Sequence, residues 1–119
     1  MSNSEERDVV LFEMMLKHIV SIENYLLDVG EDDFLNDEQK QDACLMKLIV
    51  IGEKTIKISE GTKQKFPQID WKIIKAARNF YVHVYDGIEW AYIWELFKTD
   101  LKKLKEDILN IMKELEKEN

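Results

Sequence analysis

Residues 94–115 read WELFKTDLKKLKEDILNIMKEL and carry the clearest structural signal in the chain. Their apolar positions recur in steps of three and four, the spacing that places side chains on one face of an α-helix. The same steps are typical of the contact seam between helices in a left-handed bundle. Asp86 and Glu89 have capping-box spacing at the start of this predicted helix, which ends near Glu116. Its predicted buried face consists of Trp94, Phe97, Leu101, Leu104, Ile108, Ile111 and Leu115.

The predicted first helix covers residues 5–29 and has an unusually wide apolar arc. An arc of this width indicates burial on two sides, and the second contact could be another subunit. With two further helices between the first and the last, the chain contains four amphipathic helices with short connections. This pattern predicts an all-α fold, an antiparallel four-helix bundle that forms a single domain over residues 1–119.

Turn and cap signals place the two middle helices. An acidic turn over residues 30–36 precedes the second helix, which starts at residue 36 or 37 and ends near residue 59, with Gln39 placed for a capping box. A basic loop over residues 61–69 follows. Asp70 can then cap a third helix that begins with WKIIKAARNF.

Length and composition exclude several classes of protein. A chain of 119 residues with 45% apolar residues is too apolar for a disordered tail. No apolar run approaches about 18 residues, so no membrane span is expected. The N-terminus is polar and acidic, unlike a signal or transit peptide. A single cysteine cannot form an intrachain disulfide, and together these features favour a cytoplasmic location.

The net charge of −7 is unevenly distributed. Residues 1–53 carry a net −9 and residues 79–119 a net −3, whereas residues 54–78 carry a net +5. Most nucleic-acid-binding domains are basic overall, so the total charge argues against such a function, and DNA binding is not expected. The basic segment 54–78 reopens the question of nucleic-acid binding, although charge alone favours a solvated helix face and loop.

The usual cofactor and metal motifs are missing from the sequence. There is no Walker loop and no dinucleotide-binding glycine motif. His18 and Cys44 both lie among apolar residues. His18 is interpreted as a core or interface position and Cys44 as a core position. Two histidines and one cysteine at these separations do not form a zinc pattern, so neither a cofactor nor a metal is expected.

A group of polar residues near the predicted end of the third helix is the best candidate for chemistry. Asn79 and His83 are four residues apart and share a helix face. Arg78 and His83 are five apart, about 140° around an ideal helix. Arginine and histidine can therefore converge on one ligand only if the helix end is loosened or a second chain supplies the partner. Tyr85 completes the group.

This group resembles the motif of the HEPN superfamily, specifically the HepT-like toxins of prokaryotic type VII toxin–antitoxin pairs. The family motif is arginine, four residues, histidine, one residue and tyrosine, which here is Arg78, His83 and Tyr85, with Asn79 at the polar position that often follows the arginine. Three landmarks in the same order also match the family: Ile51-Gly52-Glu53, Ile69-Asp70-Trp71 and Trp94. Val84 departs from the pattern, because glycine is common between the histidine and the tyrosine.

The resemblance implies a bundle that forms a homodimer, with two motifs facing one cleft. It further implies a metal-independent endoribonuclease that acts on RNA. The implied partner is a minimal nucleotidyltransferase antitoxin of the MntA type, which neutralises the toxin by adding AMP to the motif tyrosine, here Tyr85.

The chemistry of these residue types agrees with that implication. Histidine titrates near neutral pH and can act as base or acid, while the arginine fork matches phosphate oxygens. Arg78 and His83 are thus the predicted catalytic residues, with Asn79 in support. Glu53, an acidic residue in an apolar stretch, is predicted to pair with a buried cation; exposure at the surface is the alternative. The alternative is a non-catalytic helical module that binds a nucleotide or the nucleotidyltransferase.

Overall fold

The computed structural model describes residues 1–72, 74–75 and 87–118, and all regular structure in these residues is helical. This confirms the predicted all-α fold class. Residues 71–72 and 74–75 are also helical. The helices with defined bounds are α1 (Asn3–Tyr25), α2 (Glu31–Leu35), α3 (Glu38–Lys57), α4 (Glu60–Lys65), α5 (Trp90–Lys98) and α6 (Asp100–Lys117).

The first helix begins and ends earlier than residues 5–29. Ser2 is its N-cap and forms a capping box with Glu5, which fixes the start of α1. The helix ends at Tyr25, because the chain turns away through Asp28, which has a φ of 60°. Aspartate tolerates this left-handed conformation better than most residues.

The acidic turn predicted over residues 30–36 contains the short helix α2. Phe34 is fully buried, and three acidic residues in the first turn face the positive end of the helix dipole. The buried Gln41 of α3 holds this helix in place, since its amide donates to the carbonyl oxygens of Phe34 (3.0 Å) and Leu35 (3.2 Å).

The capping box predicted with Gln39 is wrong. Asp37 is the N-cap of α3, and its carboxylate accepts a hydrogen bond from the backbone N–H of Lys40 at 3.0 Å. A carboxylate is a strong acceptor for the free N–H groups of a helix start, so Asp37 takes the cap position.

The basic loop predicted over residues 61–69 begins with a helix instead. Ser59 caps α4 by accepting from the backbone N–H of Thr62 at 3.4 Å. The side chain of Thr62 is buried, which anchors this short helix to the rest of the protein.

The last predicted helix is two helices, α5 and α6, joined at Thr99. The Thr99 hydroxyl donates to the carbonyl oxygen of Glu95 at 2.8 Å, a local bond that competes with regular helix geometry. Glu89, not Asp86, is the N-cap of α5; Asp86 lies outside the described residues. The predicted apolar face is confirmed, because all seven of its residues are buried.

The helix α1 packs against both α3 and α6, so the prediction of burial on two sides is confirmed. Its core-facing side chains include Phe12, Met15, Ile19 and Ile22. A salt bridge of 2.9 Å between Glu23 and Lys105 joins α1 to α6 at the surface. None of the helices within the described residues is long and apolar enough to cross a membrane.

Candidate active site

The predicted catalytic and modified residues fall in a part of the chain that the structure does not describe. Arg78, Asn79, His83 and Tyr85 all lie between residues 76 and 86, outside the described residues. The flanking segments are described on both sides.

Trp71 anchors the segment that leads into the motif. Its ring packs against Phe12 of α1 with centroids 6.3 Å apart, and its indole N–H donates to the carbonyl oxygen of Phe66 at 3.2 Å. The first helical hydrogen bond follows, from the backbone N–H of Ile74 to the carbonyl oxygen of Asp70 at 3.2 Å. The approach to the motif is therefore a helical turn fixed to the core.

An aromatic cluster anchors the segment that leaves the motif. Phe34 lies 5.4 Å from Trp94 and 6.1 Å from both Trp90 and Phe97, measured between ring centroids. The ammonium of Lys98 stands 4.5 Å above the ring of Trp94, a cation–π geometry. The start of α5 is thereby bound to α2.

Two of the sequence landmarks meet at one cavity of about 390 Å³. Ile51 and Gly52 of α3 line it together with Ile69 and Asp70. The cavity is mostly apolar, and Ile51, Gly52 and Ile69 are buried packing positions beneath the approach to the motif, whereas Asp70 is exposed. Glu53, next in sequence, is half-buried; its pairing with a buried cation stays a prediction.

The lysines of the basic segment 54–78 lie in different environments. Lys63 pairs with Glu60 at 3.7 Å. Lys65 pairs with Glu118 at 2.6 Å and with Glu5 at 3.2 Å, and these contacts raise the pKa of the lysine. Hydrogen bonds from Ser2 and Lys65 lower the pKa of Glu5 to about 2. Part of the positive charge is thus neutralised within the protein.

Cys44 lies in the core, as the sequence indicated, whereas His18 is half-buried. The Cys44 thiol is buried, and burial raises its pKa to about 11, which makes it unreactive near neutral pH. His18 lies on α1 with its Nδ1 atom buried and without a hydrogen-bond partner among the described residues. Burial, followed by the charge of Lys47, lowers the pKa of this histidine.

We expect His18 to make the protein less stable in mild acid. Its folded pKa lies below the ordinary value of 6.5, so the unfolded chain takes up the proton first as the pH falls. The stabilisation is complete above pH 6.5 and is lost as the pH drops below it. Urea unfolding between about pH 7.5 and 5.5 should show a steeper loss for the unaltered chain than for His18→Gln. Identical pH dependence in the two proteins would contradict this.

Asp8 is a buried polar residue that the sequence analysis missed. It is 2% exposed on the core-facing side of α1, four residues before Phe12. Its carboxylate accepts from the backbone N–H (3.0 Å) and hydroxyl (2.6 Å) of Ser59 and from the hydroxyl of Thr62 (2.6 Å). It thereby fixes the junction of α3 and α4 to α1. The sequence did contain a signal for this role, because Asp8 is an acidic residue at a position where the apolar pattern of α1 places core side chains.

No group of three or more His, Cys, Asp or Glu side chains is placed to hold a metal ion in the described ranges 1–72, 74–75 and 87–118.

Comparison with known proteins gives a family match over most of the chain. A family model described as Ribonuclease HepT-like matches residues 15–111, a range that includes the predicted catalytic residues. No solved structure matches.

Several relatives carry ribonuclease names. A gamma-glutamylcyclotransferase and candidate RNase of Methanocaldococcus jannaschii is 37% identical to this chain over 103 residues. The match covers 87% of this chain and 46% of that protein, so the chain spans about half the length of this relative. A candidate RNase of the same organism is 29% identical over 87% of this chain and 95% of its own length. A probable ribonuclease HepT of Thermococcus cleftensis is 31% identical over 71% of this chain and 76% of its own length.

Proposed function

Because the chain belongs to the HepT-like ribonuclease family, we propose that it is a metal-independent endoribonuclease that uses Arg78 and His83. The observation that carries the proposal is that these residues, in the family's spacing, lie inside the matched range 15–111. The anchoring of both flanks of the motif, through Trp71 and Trp90, supports it, since catalytic groups need a fixed scaffold.

RNA supplies its own nucleophile, the 2′-hydroxyl. Its oxygen attacks the adjacent phosphorus, a new P–O bond forms, and the bond from phosphorus to the 5′-oxygen breaks. His83 accepts the proton of the 2′-hydroxyl or donates one to the leaving oxygen. Arg78 stabilises the negative charge on the phosphorane, and Asn79 orients the histidine or the phosphate. No metal is needed for these steps.

A homodimer would bring two motifs to one cleft and supply both an acid and a base. The exposed apolar residues of α1 support this assembly: Val10 is 54% exposed, and Met14 and Tyr25 lie on the same side of the helix. Light scattering is expected to give the mass of a dimer at micromolar concentration. A monomer at that concentration would contradict the shared cleft.

The activity is tested with purified protein and labelled single-stranded RNA in EDTA. We expect cleavage that is unaffected by the chelator. Loss of cleavage in EDTA would contradict the metal-independent mechanism. Tight binding of nucleotide without cleavage would support the non-catalytic module instead.

The proposed biological role is that of a toxin held in check by a minimal nucleotidyltransferase of the MntA type, which transfers AMP to Tyr85. The phenol oxygen would attack the α-phosphorus of ATP, release pyrophosphate and lose its proton. The attached phosphodiester carries a negative charge that would compete with the RNA backbone for Arg78.

Tyr85→Phe is expected to cleave RNA at a rate close to that of the unaltered chain and to escape neutralisation. The missing hydroxyl removes the acceptor of AMP but leaves the histidine and arginine in place. Mass spectrometry after incubation with the nucleotidyltransferase and ATP should show added AMP on the unaltered chain and none on the variant. Normal neutralisation of the variant, with AMP at another residue, would overturn this prediction.

A further inference from the structure

We propose that Lys72 and Lys75, here called the lysine pair, hold the RNA backbone and position it for the motif. The inference rests on the proposed ribonuclease function and names two positioning residues for it. They act on RNA binding and take no part in bond breaking.

The turn that contains the lysine pair has a defined orientation. Trp71 and Ile74 pack against the core, and Trp71 is fixed by its contact with Phe12. Lys72 and Lys75 each follow one of these anchors in sequence and are exposed. Because residues three apart are neighbours on a helix, the two ammonium groups extend from adjacent positions into solvent.

The other lysines of the basic segment differ from this pair in partner, burial or position. Lys57 is exposed too, but it lies at the C-terminal end of α3, 21 residues before Arg78 in the sequence. Lys63 and Lys65 form ion pairs with acidic residues. Lys54 is half-buried on α3, where its charge acts on His18. In contrast, neither member of the lysine pair makes an ion pair with a described residue. Their charge is therefore available to a phosphate.

Sequence spacing connects the lysine pair to the predicted catalytic residues. Residues 72, 75, 79 and 83 follow in steps of three, four and four, which is the spacing of a single helix face. Asn79 and His83 lie outside the described residues, so the sequence alone makes this link. If the helix continues to residue 83, an RNA backbone held along this face would lead a phosphate towards His83.

The charge of the rest of the protein increases the importance of these two cations. The chain carries a net −7, which repels RNA, and the net positive charge is confined to residues 54–78. Each cation that contacts a single-stranded backbone contributes about 0.7 to the slope of log K against log salt. Loss of two such contacts should weaken binding on the order of tenfold at about 0.15 M salt.

The test compares three variants by fluorescence anisotropy with labelled single-stranded RNA over a range of salt, each in a His83→Ala background that slows cleavage. The double variant Lys72→Gln/Lys75→Gln should bind on the order of tenfold more weakly, with a salt slope lower by about 1.4. Lys102→Gln/Lys113→Gln makes the same change in net charge on exposed residues of α6 and should bind as the parent does. Lys72→Arg/Lys75→Arg keeps both charges and should retain binding.

Cleavage assays with His83 intact separate this inference from the proposed function. The glutamine variant of the lysine pair should raise KM on the order of tenfold with kcat retained, since uniform binding is lost. If the unaltered chain cleaves RNA and this variant has the same KM and salt slope, the lysine pair does not position RNA and the inference is overturned. If the unaltered chain does not cleave but the salt slope falls as expected, the ribonuclease proposal fails while the lysine pair stands.

Discussion

His83→Ala is expected to cleave RNA about 10²–10⁴ times more slowly than the unaltered chain, the range that general acid–base catalysis contributes. The imidazole is the only group of the proposed site that exchanges a proton near neutral pH. Arg78 stays charged and can still bind phosphate, so RNA affinity should change little. The loss should therefore appear in kcat, measured under single-turnover conditions.

His18→Ala is a matched control, because it removes the other histidine of the chain. His18 lies on α1 with a buried ring nitrogen, and its removal should leave cleavage at the level of the unaltered chain at neutral pH. If His83→Ala and the unaltered chain cleave equally fast, histidine takes no part in the mechanism.

Asp8→Leu is expected to lower the free energy of unfolding by about 3 kcal/mol. Leucine keeps the branched arrangement of heavy atoms but accepts no hydrogen bond, so the backbone N–H of Ser59 and the hydroxyls of Ser59 and Thr62 lose their acceptor. Unsatisfied buried donors cost about 1–3 kcal/mol each, and the two hydroxyls can recover part of this by bonding to each other. Urea unfolding monitored by tryptophan fluorescence gives the value.

Asp8→Asn is the graded control for this prediction. The amide keeps one carbonyl oxygen, and the hydroxyls can rotate to accept from its nitrogen, so the loss should be about 1 kcal/mol. Replacement of a buried charged group by an apolar one is neutral or stabilising in some proteins. If Asp8→Leu is as stable as the unaltered chain, the prediction is wrong and the Asp8 carboxylate makes no net contribution to stability.

The helix seam of α6 could be predicted from the sequence because its side chains satisfy one local rule. Residues 101, 104, 108, 111 and 115 repeat at helical spacing, and all of them are buried. The break at Thr99 was missed because a hydroxyl bonding to the carbonyl oxygen of Glu95 does not alter the apolar pattern. The short helix α2 was missed because Phe34 is stabilised by partners far away in sequence.

The same limit applies to the candidate site. The motif residues could be found by their spacing, since a local arrangement of residue types carries the signal. The sequence could not predict which lysines remain available to bind RNA phosphates. Lys65 is neutralised by Glu5 and Glu118, about 60 and 53 residues away along the chain, and such pairings follow only from the packed fold.

The chemical structure of the product ends distinguishes attack by the 2′-hydroxyl from attack by water. RNA cleaved by the purified chain in EDTA should give upstream fragments that end in a 2′,3′-cyclic phosphate and downstream fragments that begin with a 5′-hydroxyl, as measured by mass spectrometry. The same RNA with 2′-O-methyl groups throughout should stay intact, because the attacking hydroxyl is blocked. Fragments with 5′-phosphate ends, or cleavage of the methylated RNA, would contradict attack by the 2′-hydroxyl at a site built from Arg78 and His83.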